Sequence, residues 1–287
     1  MKVIAEEEVI CIKKKYNSQM NHFTINLVDN QSTIDVDVII AYDQLKQIPL
    51  KFGKVGGNFT CSGSKLLSLK NAPHFVGENF VVTNNGLTSL KYGPKFVGGN
   101  YDCSRNQLTT LDGCADIVRN DLLCNNNLLH TLEGCPQIIK GCLNCKSNKL
   151  KTLKGGPREL YGRLNVSHNL LNNFDGVSQN MTGEVYAESN FLINLFGFSA
   201  DSDLKIFLDT SAQSLNTGFL SQKKIKVEVR QNDKFAFNFM PIQVSSNLRY
   251  LDLIFDYQNY YEIWNANDEL NVEYFEDLIE DIEDGLL

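Results

Sequence analysis

From Val55 onward, apolar residues recur on a cycle of 21 positions. Segments opening at Val55, Val76, Val97, Val118, Ile139, Leu160 and Met181 each carry an apolar fifth residue: Phe59, Phe80, Tyr101, Leu122, Leu143, Leu164 and Val185. Their twelfth residue is leucine from Leu66 to Leu192, and their fifteenth is leucine except for Phe174. The tenth is Ser64, then Asn in every unit from Asn85 to Asn190. One unit further back, Ile34, Val38, Ile40, Leu45 and Ile48 keep the register, so about eight units share one phase. A fixed period in this range predicts a solenoid, in which each unit buries its apolar face only against its neighbours. Alternation within a unit predicts a short strand, with positions five and seven inward and six and eight outward. Strands stacked about 4.8 Å apart would build a parallel sheet roughly 35 Å long. The Asn at position ten follows the strand, where the chain must turn. Its amide donates and accepts at once, so a column of Asn can satisfy buried backbone groups there.

The two ends read differently. "EVICIKKK" and "HFTINLV" alternate like two strands and predict an N-terminal β-hairpin cap within residues 1–33. The period is read as ending near residue 200, which gives a solenoid over 34–199 and a small α+β domain over 200–287. In that domain Ile225, Val227 and Val229, then Phe235, Phe237 and Phe239, alternate across an Asn-Asp turn and predict a hairpin. Further on, Val272, Phe275, Leu278, Ile279 and Ile282 share one face of a predicted helix with Asp268 as its N-cap. The fold class is therefore an α/β-type solenoid with a parallel β-sheet, a β cap and a C-terminal α+β domain.

The spacing F-x-C-x-x-N-x-L resembles the L-x-L-x-x-N-x-L core of leucine-rich repeats. Pro73, Pro94, Pro136 and Pro157, each three residues before a new unit, look like the P-x-x-L feature of the short bacterial type. The Gly-Gly-Asn-aromatic-x-Cys-Ser wording at 56–62 and 98–104 is similar to that of leucine-rich proteins encoded by tailed bacteriophages. The resemblance implies a non-catalytic scaffold that binds a host bacterial protein in the cytoplasm and inhibits a defence or regulatory function. Bacterial leucine-rich ubiquitin ligases also carry a domain after their repeats, but they need a nucleophilic cysteine there, and this chain has none after Cys145.

Cysteine is the residue that most suggests chemistry. There are eight, in a chain of 287 residues whose start has no apolar export region, and this reads as reduced thiols in a cytosol. Cys142 and Cys145 form a C-x-x-C, which serves zinc sites and redox pairs alike. The repeat decides between these. Cys61, Cys103, Cys124 and Cys145 share position seven with Val82, Val166 and Ala187, while Cys114 and Cys135 share position eighteen with Ala72 and Val177. Cysteine here alternates with small apolar residues as a buried hydrophobe, and only Cys11 and Cys142 lie outside the columns. No metal or cofactor is expected. "GGNFTCSGSK" lacks the G-x-x-x-x-G-K-[ST] spacing of a phosphate loop. His168 lies within reach of Ser147, Ser189 and Glu188, but its column is exposed by pattern, which reads as surface decoration rather than a triad.

Charge adds the last element. The net charge is −7, yet from Tyr250 to Leu287 there are twelve Asp or Glu and no Lys or Arg. A mildly basic body with an acidic tail is not expected to bind nucleic acid directly, because phosphate binding needs clustered cations. No apolar stretch reaches the length of a membrane span. Two candidate binding surfaces follow. One is the outward strip of the solenoid, with Asp102, Asn125, Lys146, Asn165, Tyr186 and Glu188 flanked by Arg105, Arg163 and His168. The other is the acidic helix, with Glu273, Glu276, Asp277, Glu280, Asp281 and Asp284, which could imitate the charge of a nucleic acid. A third reading places an enzyme site within 200–287, where no catalytic cluster is seen.

Overall fold

The computed structural model describes residues 19–20, 32–34, 37–40, 44–181, 183–192, 197–198, 203–209, 225–230, 241–265 and 269–287. The expected parallel solenoid is present, and its step is 21 residues: Leu122 pairs with Leu143 and Leu123 with Asn144. Each full turn contributes two short strands rather than the one expected. The first covers positions five and six and belongs to an eleven-stranded sheet, here the long sheet. The second covers the last position of one unit and the first of the next, as in Phe75–Val76 pairing with Phe96–Val97, and builds a separate eight-stranded sheet.

Burial follows the alternation. Phe59, Cys61, Phe80, Val82, Tyr101 and Cys103 are fully enclosed, while Thr60, Val81 and Asp102 between them face out and are half-buried. On the second sheet Val76, Val97 and Val118 point in. Leucines at positions twelve and fifteen close the third side of each turn without forming a strand. Stacking of like residues fills the interior; the Phe59 and Phe80 rings, for example, lie 5.5 Å apart at 16°.

Position seventeen shows why some glycines recur. Gly134 has φ 85°, and a Cβ there would sit 2.3 Å from the Leu111 carbonyl carbon of the preceding turn. The left-handed backbone favours glycine, and the close approach of the turns excludes a side chain there. Earlier in the stack Asn71 and Tyr92 adopt the same conformation, at φ 76° and 72°.

The reading that the period ends near residue 200 is corrected by the pairing. Leu204–Asp209 continues the long sheet in parallel, with Val185 opposite Ile206. Ile225–Arg230 follows with Ile206 opposite Val227, again 21 residues on. The strand column persists while the leucine columns stop, since Gln213 and Asn216 occupy positions twelve and fifteen of that turn. Ile225–Arg230 is thus a strand of the parallel sheet, and the second arm of the expected hairpin, around Phe235–Phe239, lies outside the described residues. Of the N-terminal cap, Gln19–Met20 pairs antiparallel with Val38–Ile39, and the rest lies outside them too.

The described C-terminal helices are α1 (Ile242–Ser246), α2 (Leu251–Tyr257) and α3 (Val272–Glu283). Helix α3 buries Phe275, Leu278 and Ile282 as its spacing predicts. Val272 departs from that face and is 38% exposed. The N-cap is Asn271, with no side-chain capping bond, and Asp268 lies outside the described residues.

Candidate functional site

The outward strip rests on a column of buried amides. Asn127 Nδ2 donates to the carbonyls of Cys103 (3.1 Å) and Cys124 (3.0 Å), and its Oδ1 accepts from Leu108 N (3.1 Å). Asn106, Asn148, Asn169 and Asn190 repeat the arrangement one turn apart. Each rung locks the end of its own strand to the preceding turn, so every outward side chain is held in a fixed register.

Position nine, at the strip's edge, is uniformly left-handed: Gly63, Asn84, Arg105, Asn126, Ser147, His168 and Ser189 have φ between 53° and 67°. The candidates Arg105 and His168 are therefore corner residues with exposed side chains. Their backbone N–H groups bond the next turn, Arg105 to Asn125 O at 2.9 Å and His168 to Glu188 O at 2.7 Å. No Ser-His relay forms. Ser167 Oγ donates to Glu188 Oε2, and Ser189 Oγ donates to Asp209 Oδ2 at 3.0 Å.

The remaining candidates divide into two groups. Asp102 and Asn165 turn their oxygens back onto the N–H groups of Ser104 (3.0 Å) and Ser167 (3.1 Å). Asn125 is half-buried and Lys146 exposed. Toward the C-terminal end the strip becomes a network: Arg163 Nε lies 2.8 Å from Glu184 Oε2, which also accepts from Tyr186 Oη at 2.9 Å. The Tyr186 and Phe207 rings stack at 4.6 Å, and Lys205 lies over Phe207 at 5.0 Å. Neither Glu184 nor Phe207 stands out in the sequence alone. The signal that finds them is the offset of 21 itself, which separates Arg163 from Glu184, Ser167 from Glu188 and Tyr186 from Phe207.

Five of the buried thiols are chemically quiet. Burial pushes those of Cys103 and Cys135 well above the ordinary thiol value and that of Cys61 up to about 11. For Cys124 the contact with Cys145, Sγ to Sγ 3.3 Å, is the leading cause, followed by burial. A thiol held protonated is neither nucleophile nor metal ligand. Among the described residues, no three His, Cys, Asp or Glu side chains come together as a metal group. Cys142 and Cys145 do not act as a pair, because Cys145 is enclosed in the core while Cys142 is half-buried at a turn.

On α3, Glu273, Glu276, Asp277, Glu280 and Asp284 are exposed. Asp281 differs: it is half-buried and accepts the Tyr261 hydroxyl, a bond that pushes the phenol up to about 12. Glu283 is tied to Arg249 at 2.7 Å. The helix therefore shows solvent five carboxylates without an ion-pair partner among the described residues, rather than the full acidic set. No helix among the described residues is long and apolar enough to cross a membrane. Comparison of the chain with protein-family models, with curated proteins and with solved structures finds no match.

Proposed function

We propose that this chain is a non-catalytic scaffold that binds a protein partner through the outward strip of the long sheet. The observation that carries this reading is the pairing of that strip with the amide ladder behind it. Side chains at positions six and eight project from strands whose register is fixed turn by turn, which makes a pre-organised surface and lowers the ordering cost of binding. The strip is mixed in charge and carries Arg105, Lys146, Arg163 and Tyr186, of which Arg and Tyr are residue types enriched at protein interfaces. Ser167 and Ser189 donate to carboxylates rather than to a histidine, and the position-seven cysteines are enclosed, which favours binding over nucleophilic chemistry. Similarity of the repeat wording to phage-encoded leucine-rich proteins makes a bacterial host protein the first partner to test.

Affinity capture from bacterial lysate with the full chain tests the assignment. The triple variant Arg105→Asp, Asn125→Arg and Lys146→Glu should lose the captured protein while keeping its thermal midpoint. A tail variant, Glu276→Lys, Asp277→Lys and Glu280→Lys, should keep it; Asp281 is left intact because Tyr261 depends on it. Loss in the tail variant alone would move the recognition surface to α3 and support the acidic mimic instead.

A further inference from the structure

The outward face of the second sheet carries a row of apolar side chains. Phe75 and Phe96 stack at 4.7 Å and 5°, and Ile117 and Ile138 continue the row, 52% and 39% exposed. Lys54 occupies the rung before Phe75, and Glu159 the rung after Ile138. Single exposed apolar residues are ordinary, but a contiguous row of four on one sheet face marks an interaction surface.

We infer that this face pairs with the same face of a second copy, about a two-fold axis running along the strand direction between the Phe96 and Ile117 rungs. Such an axis keeps the strand direction and reverses the order of the turns. Phe96 then meets Ile117 of the second copy, Phe75 meets Ile138, and Lys54 meets Glu159. The flanking columns obey the same operation. Lys95 and Asp116, 3.6 Å apart within one chain and both largely exposed, come to lie opposite their counterparts and close a four-charge cluster at the axis. Position two reads Gly56, Gly77 and Gly98 on one half and Arg119, Lys140 and Tyr161 on the other. The shallow half of one copy therefore faces the bulky half of the other. Gly77 and Gly98 have a reason of their own, since a Cβ on either would lie 1.9 Å or 2.0 Å from the carbonyl oxygen one turn back. Their consequence is the groove nonetheless. Lys140, now 3.7 Å from the Tyr161 ring centroid, would fall beside exposed Glu78 of the second copy.

One register thus satisfies the apolar row, three charge relations and the shape of position two together. A shift of one rung either way breaks these pairs: Lys54 then faces Ile138, or it faces Asn180 while Phe75 faces Glu159. Six rungs at about 4.8 Å and five residues of width at about 3.4 Å give roughly 500 Å² per copy. That is below the roughly 800 Å² per partner of a stable complex, so the dimer is weak and its population depends on concentration.

Sedimentation velocity on the full chain over a concentration series tests this. Reversible monomer–dimer exchange with no larger species is expected, because a two-fold contact closes on itself. Ile117→Lys should weaken the dimer more than about ten-fold by setting a charge at the axis. Lys54→Glu and Glu159→Lys should each weaken it several-fold, and the two together should restore it. Five turns, about 24 Å, separate these residues within one chain, so the rescue has to cross between copies. Thermal midpoints near wild type would show that the variants fold. A monomer at every concentration would overturn the proposal and leave the row to a foreign protein or a nucleic acid. Species beyond the dimer, or a double swap without rescue, would overturn the two-fold register.

Discussion

Two polar ladders run along the solenoid, one at each end of the long-sheet strand, and they differ in what each rung must do. At position ten the amide is buried, Asn127 to 6% exposure and Asn169 to 3%. It donates to two carbonyls and accepts from one N–H, so the rung needs a donor and an acceptor in one side chain. At position four the ladder runs through Asp37, Asn58, Asn79, Asn100 and Asp121 and is half-buried where its exposure is lowest. There the shared element is an oxygen that accepts the next turn's backbone N–H, as Asn79 Oδ1 does from Asn100 N at 2.7 Å. Asp supplies that as well as Asn. The dry ladder is accordingly Asn at six successive turns, while the wetter one mixes Asn with Asp and then lapses at Cys142 and Arg163. Loss of water as an alternative partner is what fixes the residue type.

The largest effect that tests this contrast is at the dry ladder. Asn127→Ala leaves two carbonyls and one N–H short of partners and should cost about 3 kcal/mol in urea unfolding, at the upper end for buried unsatisfied groups. Asn127→Asp should be no better, because it keeps the acceptor but loses both donors and buries a charge. Asp121→Asn at the wetter ladder should be close to neutral. A neutral Asn127→Asp would erase the distinction. Between the ladders sits a polar atom that neither serves: the Tyr101 hydroxyl is enclosed and has no hydrogen-bond partner among the described residues. Phe59 and Phe80 occupy the same column, so Tyr101→Phe should stabilise by about 1–2 kcal/mol, read as a raised denaturation midpoint with unchanged slope. Asn79→Ala should cost only about 1 kcal/mol, since water can reach the groups it frees.

These differences also explain what the sequence allowed to be read. The dry ladder and the leucine columns are legible because burial narrows the residue type at each, to Asn at six turns after Ser64 and to Leu except at Phe174. The inward and outward faces of the long sheet follow from alternation at Phe59, Thr60 and Cys61. The second sheet was not legible, because its outward column changes from Phe96 to Ile117 to Glu159 with no fixed chemistry. The turns at Leu204–Asp209 and Ile225–Arg230 were lost when leucine vanished from positions twelve and fifteen, though Ile206 and Val227 still held position five. For the candidate site, the outward positions could be named but not their pairings. Those depend on which side chains reach across one turn, as between Arg163 and Glu184, and that becomes visible only once position i is set beside i+21.

The smallest expected effect is at the rung where the wetter ladder lapses. Cys142 N donates to Asp121 Oδ1 at 2.7 Å, so residue 142 still receives the ladder from the turn before. Its own side chain offers sulfur, a weak acceptor, where Asn79 and Asn100 offer an amide oxygen to the following turn. Cys142→Asn restores that oxygen opposite the backbone N–H of Arg163, the position-four residue one turn on. A half-buried neutral bond of this kind is worth about 0.5–1 kcal/mol, so the thermal midpoint should rise slightly. The same variant removes the one described cysteine that is not buried, so labelling of the native protein by a thiol reagent should fall by one equivalent. Release of the buried thiols should then coincide with unfolding. A lower midpoint together with unchanged labelling would mean that the ladder does not extend to this turn and that Cys142 is enclosed like its neighbours.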